Sequence, residues 1–226
     1  MKVIHSLFGN VALHASADEV VPDKGVVIQE FIDFVGNTYQ FGIRPQLQQT
    51  GVFPAGQQLV FQNGILIDGE KKLPILQIAS VTNGDIVTAA TTEIAEAILL
   101  DYMKQLDSAL GYRFASANTE HRTFQSNLVV QFDAPLEEQF DKLLKMEAII
   151  TKEIPRSYGP FKLKRIALGY GDVPQILSFE TIERSDFLIE RRANEPYSQN
   201  RYFCAAPTTT KEHIRILETL ERELSK

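Results

Sequence analysis

"QQLVFQNGILIDGEKKLPILQIASVTNGDIVTAATTEIAEAILLDY", residues 57–102, changes its hydrophobic period once, at Thr91-Thr92. Before that pair, apolar runs are broken by Asn63-Gly64, Asp68-Gly69 and Asn83-Gly84, dipeptides that tolerate the positive φ of tight hairpins. The stretch predicts an antiparallel meander of three or four strands. Not every dipeptide need be a two-residue turn, since Gly64 can mark a bulge inside one long strand. After the pair, Ile94, Ile98, Tyr102, Leu106 and Leu110 recur at helical spacing. Thr92 is placed to cap this helix, Glu93 and Glu96 suit the positive end of its dipole, and Gly111 ends it.

On the N-terminal side the signals weaken. "VVIQEFIDFVGN" (26–37) sets Val27, Ile28, Phe31, Ile32 and Val35 at helical spacing, with Gly36 as the stop. "TYQFGIR" (38–44) alternates like a half-buried strand. Residues 1–25 yield no element.

On the C-terminal side, a polar loop (115–127) leads to the strand "NLVVQFD" (127–133). A helix then runs from Asp133 to Pro155, with Leu136, Phe140, Leu143, Leu144 and Ile150 on its apolar face. Residues 161–192 read as two or three strands around the turn Gly169-Tyr170-Gly171-Asp172. Thr209 and Glu212 then open a last helix with Ile214, Leu217, Leu220 and Leu224 as its stripe. Strand groups followed by helices, without regular βαβ alternation, predict an α+β protein of two mixed lobes, 1–112 and 113–226, or one continuous domain. Both halves end alike, in "VTAATTEIAEAILLDY" (87–102) and "FCAAPTTTKEHIRILETL" (203–220). A diverged repeat produces this pattern, and so does the common chemistry of helix starts.

The 226 residues suffice for a core without disulfide or metal staples. A single cysteine, Cys204, excludes an internal disulfide and suits a reducing compartment, so the cytoplasm is expected. The first 20 residues are too interrupted for a signal-peptide core, and no apolar run reaches membrane-spanning length. Residues 1–112 hold 6 Lys plus Arg against 12 Asp plus Glu, and residues 113–226 hold 17 against 17, so the net charge of −6 is N-terminal. With no basic stripe, nucleic acid is not an expected partner.

Catalytic signatures are missing. There is no G-x-x-x-x-G-K-[ST] or G-x-G-x-x-G, and "GYGDVP" (169–174) leads into a strand where a phosphate loop needs a helix. His5, His14, His121 and His213 lack metal-ligand spacing, and no cofactor is expected. Cys204, between Phe203 and Ala205, reads as a small buried hydrophobe.

"FLIERRANEPYSQNRYFCAAP" (187–207) is the one place to look. It is expected to form a hairpin pairing Phe187 with Ala205, Ile189 with Phe203 and Arg191 with Arg201 on the core side, with an acid such as Glu195 or a bound anion between the arginines. A slip of one residue turns Tyr202 and Cys204 inward instead. Arg191, Arg192, Tyr197, Asn200, Arg201 and Tyr202 are the candidate binding residues. The expected function is a non-catalytic binding or assembly protein, homo-oligomeric or paired with another protein. The alternative is an enzyme or small-molecule binder for a phosphorylated or carboxylated ligand at the same hairpin.

Overall fold

The computed structural model describes residues 1–15, 17–46, 58–81, 84–116, 122–136, 162–169, 186–192 and 194–224, with single positions at 149 and 152. Among them are eight strands, β1 (Lys2–His14), β2 (Leu59–Asp68), β3 (Lys71–Val81), β4 (Gly84–Ala89), β5 (Arg122–Gln131), β6 (Arg165–Leu168), β7 (Phe187–Arg191) and β8 (Arg201–Ala206). The helices are α1 (Ala17–Val20), α2 (Ile28–Thr38), α3 (Thr92–Leu110) and α4 (Thr210–Leu224). The protein is α+β, with one eight-stranded sheet in the order β2-β3-β4-β1-β5-β8-β7-β6. The expected helix from Asp133 and the Gly169–Asp172 turn fall largely outside the described residues.

Chain contacts divide into two compact units: residues 8–126 with 208–210, and residues 1–7, 127–207 and 211–226. In the first, the meander is as expected. Gly69, at φ 60°, turns β2 into β3, and β3 pairs with β4 up to Val81↔Gly84. Asn63-Gly64 is no turn, because β2 runs through it without changing its pairing sum with β3. The Phe41 ring fills the space a Cβ on Gly64 would take, at 2.5 Å. Cross-strand register sets the row Phe61, Ile78, Val87, Val11 on one face. That row belongs to the core with Phe31, Ile32 and Val35 of α2 and Ala95, Ile98, Leu99 and Tyr102 of α3. One step along each strand, two rows face the other way: Val60, Ala79, Ile86, Ala12 and Gln62, Gln77, Thr88, Asn10. In the second unit, the core gathers Leu128, Val130, Phe132, Leu136, Ile189, Tyr202, Cys204 and Leu217.

Several expectations are corrected. The 13-residue strand β1, paired with β4, occupies a stretch whose pattern named no element. "TYQFGIR" is not a strand: α2 continues to Thr38, Gln40 takes φ 50°, and only Ile43 forms a bridge, to Gln62. The alternation there has another cause, a helix exit that turns Tyr39 and Phe41 into the core and leaves Ile43 out. Strand β5 begins at Arg122, inside the expected loop.

The cap of α3 is Thr91, whose hydroxyl accepts from the Ile94 amide, and Gly111 closes the helix at φ 71°. Thr92, the expected cap, has another partner. Its amide donates to Thr210 Oγ1 at 3.1 Å, and the Thr210 amide donates to Thr92 Oγ1 at 2.7 Å. Both threonines are buried. Each helix start thus satisfies a first-turn amide of the other, which neither sequence signal announced.

The repeat left open by the sequence has a topological counterpart. The order β2-β3-β4-β1 recurs, read from the far edge, as β6-β7-β8-β5, with α3 following β4 and α4 following β8. The described strands of the two halves follow the same order, and the threonines that exchange hydrogen bonds, Thr92 and Thr210, both open a closing helix. We expect Thr210→Val to destabilise by about 1 to 2 kcal/mol, because it strands a buried amide, and Thr210→Ser to be nearly neutral. Urea midpoints of the two variants check this; equal midpoints would remove any role for the exchange.

Candidate functional site

The hairpin forms, but one residue out of the expected register. Leu188 pairs with Ala205, Ile189 with Cys204, Glu190 with Phe203 and Arg191 with Tyr202. The expected pairs Phe187/Ala205, Ile189/Phe203 and Arg191/Arg201 do not occur. The reason lies in what each register buries. The observed one turns Tyr202 and Cys204 inward beside Ile189, at 3%, 0% and 3% exposure, and sends Arg201 outward. The other would bring a second arginine to the core side.

The loop between the strands sets this register. Pro196 precedes a 3-10 turn, Tyr197–Gln199, and Asn200 leaves it in the left-handed region at φ 49°. The Asn200 carbonyl accepts from the Phe132 amide at 3.1 Å, tying the loop to the end of β5. Asn200 is therefore a turn residue here.

Arg191, only 7% exposed, lies between two aromatic rings, 4.4 Å from the Tyr197 centroid and 4.6 Å from that of Tyr202. Its guanidinium also donates to the Tyr197 carbonyl at 2.8 Å. A cation desolvated over ring faces is held by their quadrupoles, each such contact worth about 1 to 2 kcal/mol. The Tyr202 hydroxyl accepts from the Leu136 amide at 2.9 Å, which fixes the lower ring. Tyr197 forms the upper one and stays 45% exposed.

Arg192 and Arg201 are the facing arginines, since the Arg192 amide donates to the Arg201 carbonyl. Glu195 bridges them, 2.8 Å from Arg192 Nε and 3.2 Å from Arg201 Nη1. The acid named from sequence thus sits between two arginines, although Arg192 replaces Arg191 in the pair. Lys164, just before β6, extends the charged rim by pairing with Glu190 of β7 at 3.5 Å.

The structure therefore brings Arg191, Tyr197 and Tyr202 into one stack and Arg192 and Arg201 onto one carboxylate. Beside Tyr202 and Ile189 is a cavity of about 10 Å³, lined also by Leu136, Leu163, Lys164, Arg165 and Ile166. It has room for one water. Among the described residues no group of His, Cys, Asp and Glu is arranged to hold a metal, and no helix is long and apolar enough to cross a membrane. Cys204 is buried, which pushes its thiol pKa up and keeps it protonated.

Two buried titratable groups were not singled out from sequence. Asp85 in β4 receives a hydrogen bond from the Tyr102 hydroxyl at 3.2 Å, and burial pushes its carboxyl up to about 6, partly offset by hydrogen bonds to Ser80 and Tyr102. Next to a glycine in a turn signal, an aspartate reads as turn chemistry, so nothing local marks it as buried. His213 in α4 is fully buried, with the Phe187 ring edge-on at 5.8 Å, and burial lowers its imidazole to about 4. Its place on the helix stripe, one turn before Leu217, was the available signal.

No protein-family model matches the chain, and no curated protein matches it.

Proposed function

We propose that the chain is a non-catalytic binding or assembly protein that self-associates in the cytoplasm and presents the β7–β8 hairpin to a protein partner. The observation that carries this is the Tyr197–Arg191–Tyr202 stack, which holds an exposed tyrosine over a buried arginine in the same hairpin as Arg192 and Arg201. Tyrosine and arginine are the side chains that interface centres favour, and a preorganised aromatic loses little entropy on binding. The cytoplasmic part rests on the single, buried cysteine.

The small-ligand alternative is less favoured. An anion site needs cationic donors converging on an open space, whereas Glu195 already bridges Arg192 and Arg201 and the cavity beside Tyr202 has room for no more than one water.

The roles separate by mutation. Arg191→Ala is expected to cost about 2 kcal/mol, since it removes the centre of the stack. Arg201→Ala, which leaves Glu195 its contact with Arg192, is expected to cost under about 1 kcal/mol. Tyr197→Ala and Arg201→Ala should nevertheless lose at least tenfold in affinity for whatever protein wild type captures. Retention of every partner by both variants, at unchanged stability, would refute the hairpin's role. A thermal shift induced by inorganic phosphate, and lost in Arg201→Ala, would favour the anion alternative.

A further inference from the structure

Residues 162–169 and 186–206, which build β6 and the hairpin, hold six Lys or Arg against three Asp or Glu, in a chain whose total charge is −6. Glu195 takes one N–H from each of the facing arginines, Arg192 Nε and Arg201 Nη1, and the two side chains stay 36% and 35% exposed. A guanidinium offers five N–H groups in a planar fork, so most of both forks is left over. Around them Asn194, Pro196, Tyr197 and Ser198 are exposed.

The opposite charge is concentrated at α1 and α2. Residues 17–38 hold five Asp or Glu against one Lys, and all five acids, Asp18, Glu19, Asp23, Glu30 and Asp33, are exposed. Asp23 pairs with Arg113 at 3.0 Å, and the other four have no ion pair among the described residues. Val27, the residue before α2, is 60% exposed, and Glu30 and Asp33 follow it at three-residue steps, near neighbours on a helix surface. We infer that this acidic segment of one copy docks on the arginine–tyrosine hairpin of a second copy. Its carboxylates meet the remaining N–H groups of Arg192 and Arg201, and Val27 meets the Tyr197 ring.

Charge complementarity selects this occupant. The surface that fits the hairpin is carried by the chain itself, whereas a nucleic acid would face a molecule whose remainder is more acidic than the total of −6. A small anion needs donors that converge in a pocket. A protein segment brings its carboxylates to a rim one at a time, which suits two arginines already tied to Glu195. Because the two surfaces differ, the contact is made twice across a two-fold axis or once per copy in an open chain. It belongs to the transient class that buries under about 1,200 Å² and relies on charge for its encounter. The inference rests on both parts of the proposed function, self-association and the hairpin, and joins them.

Sedimentation of the full chain over about 5 to 500 µM, in about 20 mM and about 500 mM NaCl, tests it. Wild type should associate at low salt and lose at least tenfold in affinity at high salt. The deciding variant combines Glu30→Lys and Asp33→Lys. It takes the net charge from −6 to −2, so general repulsion falls and unspecific association would tighten. Docking on the hairpin instead requires a loss of at least tenfold. A control that combines Asp68→Lys and Glu70→Lys, exposed positions outside both surfaces, makes the same charge change and should not weaken association. Arg201→Glu should weaken it, and an equimolar mixture with the Glu30 and Asp33 variant should restore it, since each variant's unaltered surface meets its complement on the other. Urea midpoints establish that the variants fold, and the two lysine variants suffice if Arg201→Glu does not. A monomer at every concentration overturns both this inference and the self-association it rests on; capture of a different protein through Tyr197 would then leave the hairpin's role standing. Association that ignores the Glu30 and Asp33 change, or that falls equally in the control, overturns the inference alone.

Discussion

Asp85→Asn and His213→Gln are expected to shift the pH dependence of stability in opposite directions relative to wild type, each by about 3 kcal/mol. Burial raises the folded pKa of Asp85 to about 6, from the 3.8 of a free aspartate. A raised pKa means the native state binds the proton more tightly. Its contribution is fully present below the unfolded value and is lost as pH rises from about 4 through 6. The difference of about two pKa units corresponds to about 3 kcal/mol. His213 runs the other way, its pKa lowered from 6.5 to about 4 by burial. The neutral imidazole's contribution is present above 6.5 and lost as pH falls through 4, again about 3 kcal/mol.

The two windows overlap between about pH 4 and 6.5, and there the effects cancel. Removing Asp85 leaves the histidine, so Asp85→Asn should become more stable as pH rises through this window. Removing His213 leaves the aspartate, so His213→Gln should become less stable over the same range. Urea midpoints at half-unit pH steps, taken as variant minus wild type, remove the background of surface carboxylates. Parallel curves for all three proteins would mean that neither group is buried in the protonation state described. Both residues lie in a core, on β4 and on α4, so the experiment also tests the burial that those elements impose.

How far the sequence discloses this fold can be argued from single residues. The meander and α3 were legible because turn dipeptides and helical periodicity are local, and Gly69 and Gly111 do at their positions what their chemistry predicts. Strand β1 was not. In a strand with neighbours on both sides, Ile4 and Phe8 on one face and Val11 and Leu13 on the other are all partly or fully buried, which blurs the period of two. The hairpin's members were legible, and their pairing was not. Register depends on the loop, where Asn194 and Asn200 both adopt positive φ, and on which arginine the core side can hold, here Arg191 between two tyrosine rings. The threonine exchange was beyond reach for a different reason. It joins residues 118 positions apart, and no local pattern carries that separation.

The same juxtaposition explains the last and largest expected effect. Gly9 lies inside β1, buried, where β-propensity alone would favour any side chain but glycine. A Cβ built there would stand 2.2 Å from the Thr92 amide nitrogen and 2.5 Å from the Thr91 carbonyl carbon. These are backbone atoms at the first turn of α3, so no side-chain rotation relieves the overlap. The helix start must move, and with it the two bonds that Thr92 and Thr210 exchange. Gly9→Ala is therefore expected to cost more than the 1 to 3 kcal/mol of ordinary overpacking, about 4 kcal/mol, because buried hydrogen bonds are lost along with the fit. The accompanying signature is specific: in the Gly9→Ala background, Thr210→Val should add almost nothing, since the bond it removes is already broken. A double-mutant cycle on urea midpoints measures that coupling. Full additivity, with Thr210→Val costing the same in both backgrounds, would show that the helix start had not moved and that the contact at Gly9 is not what positions it.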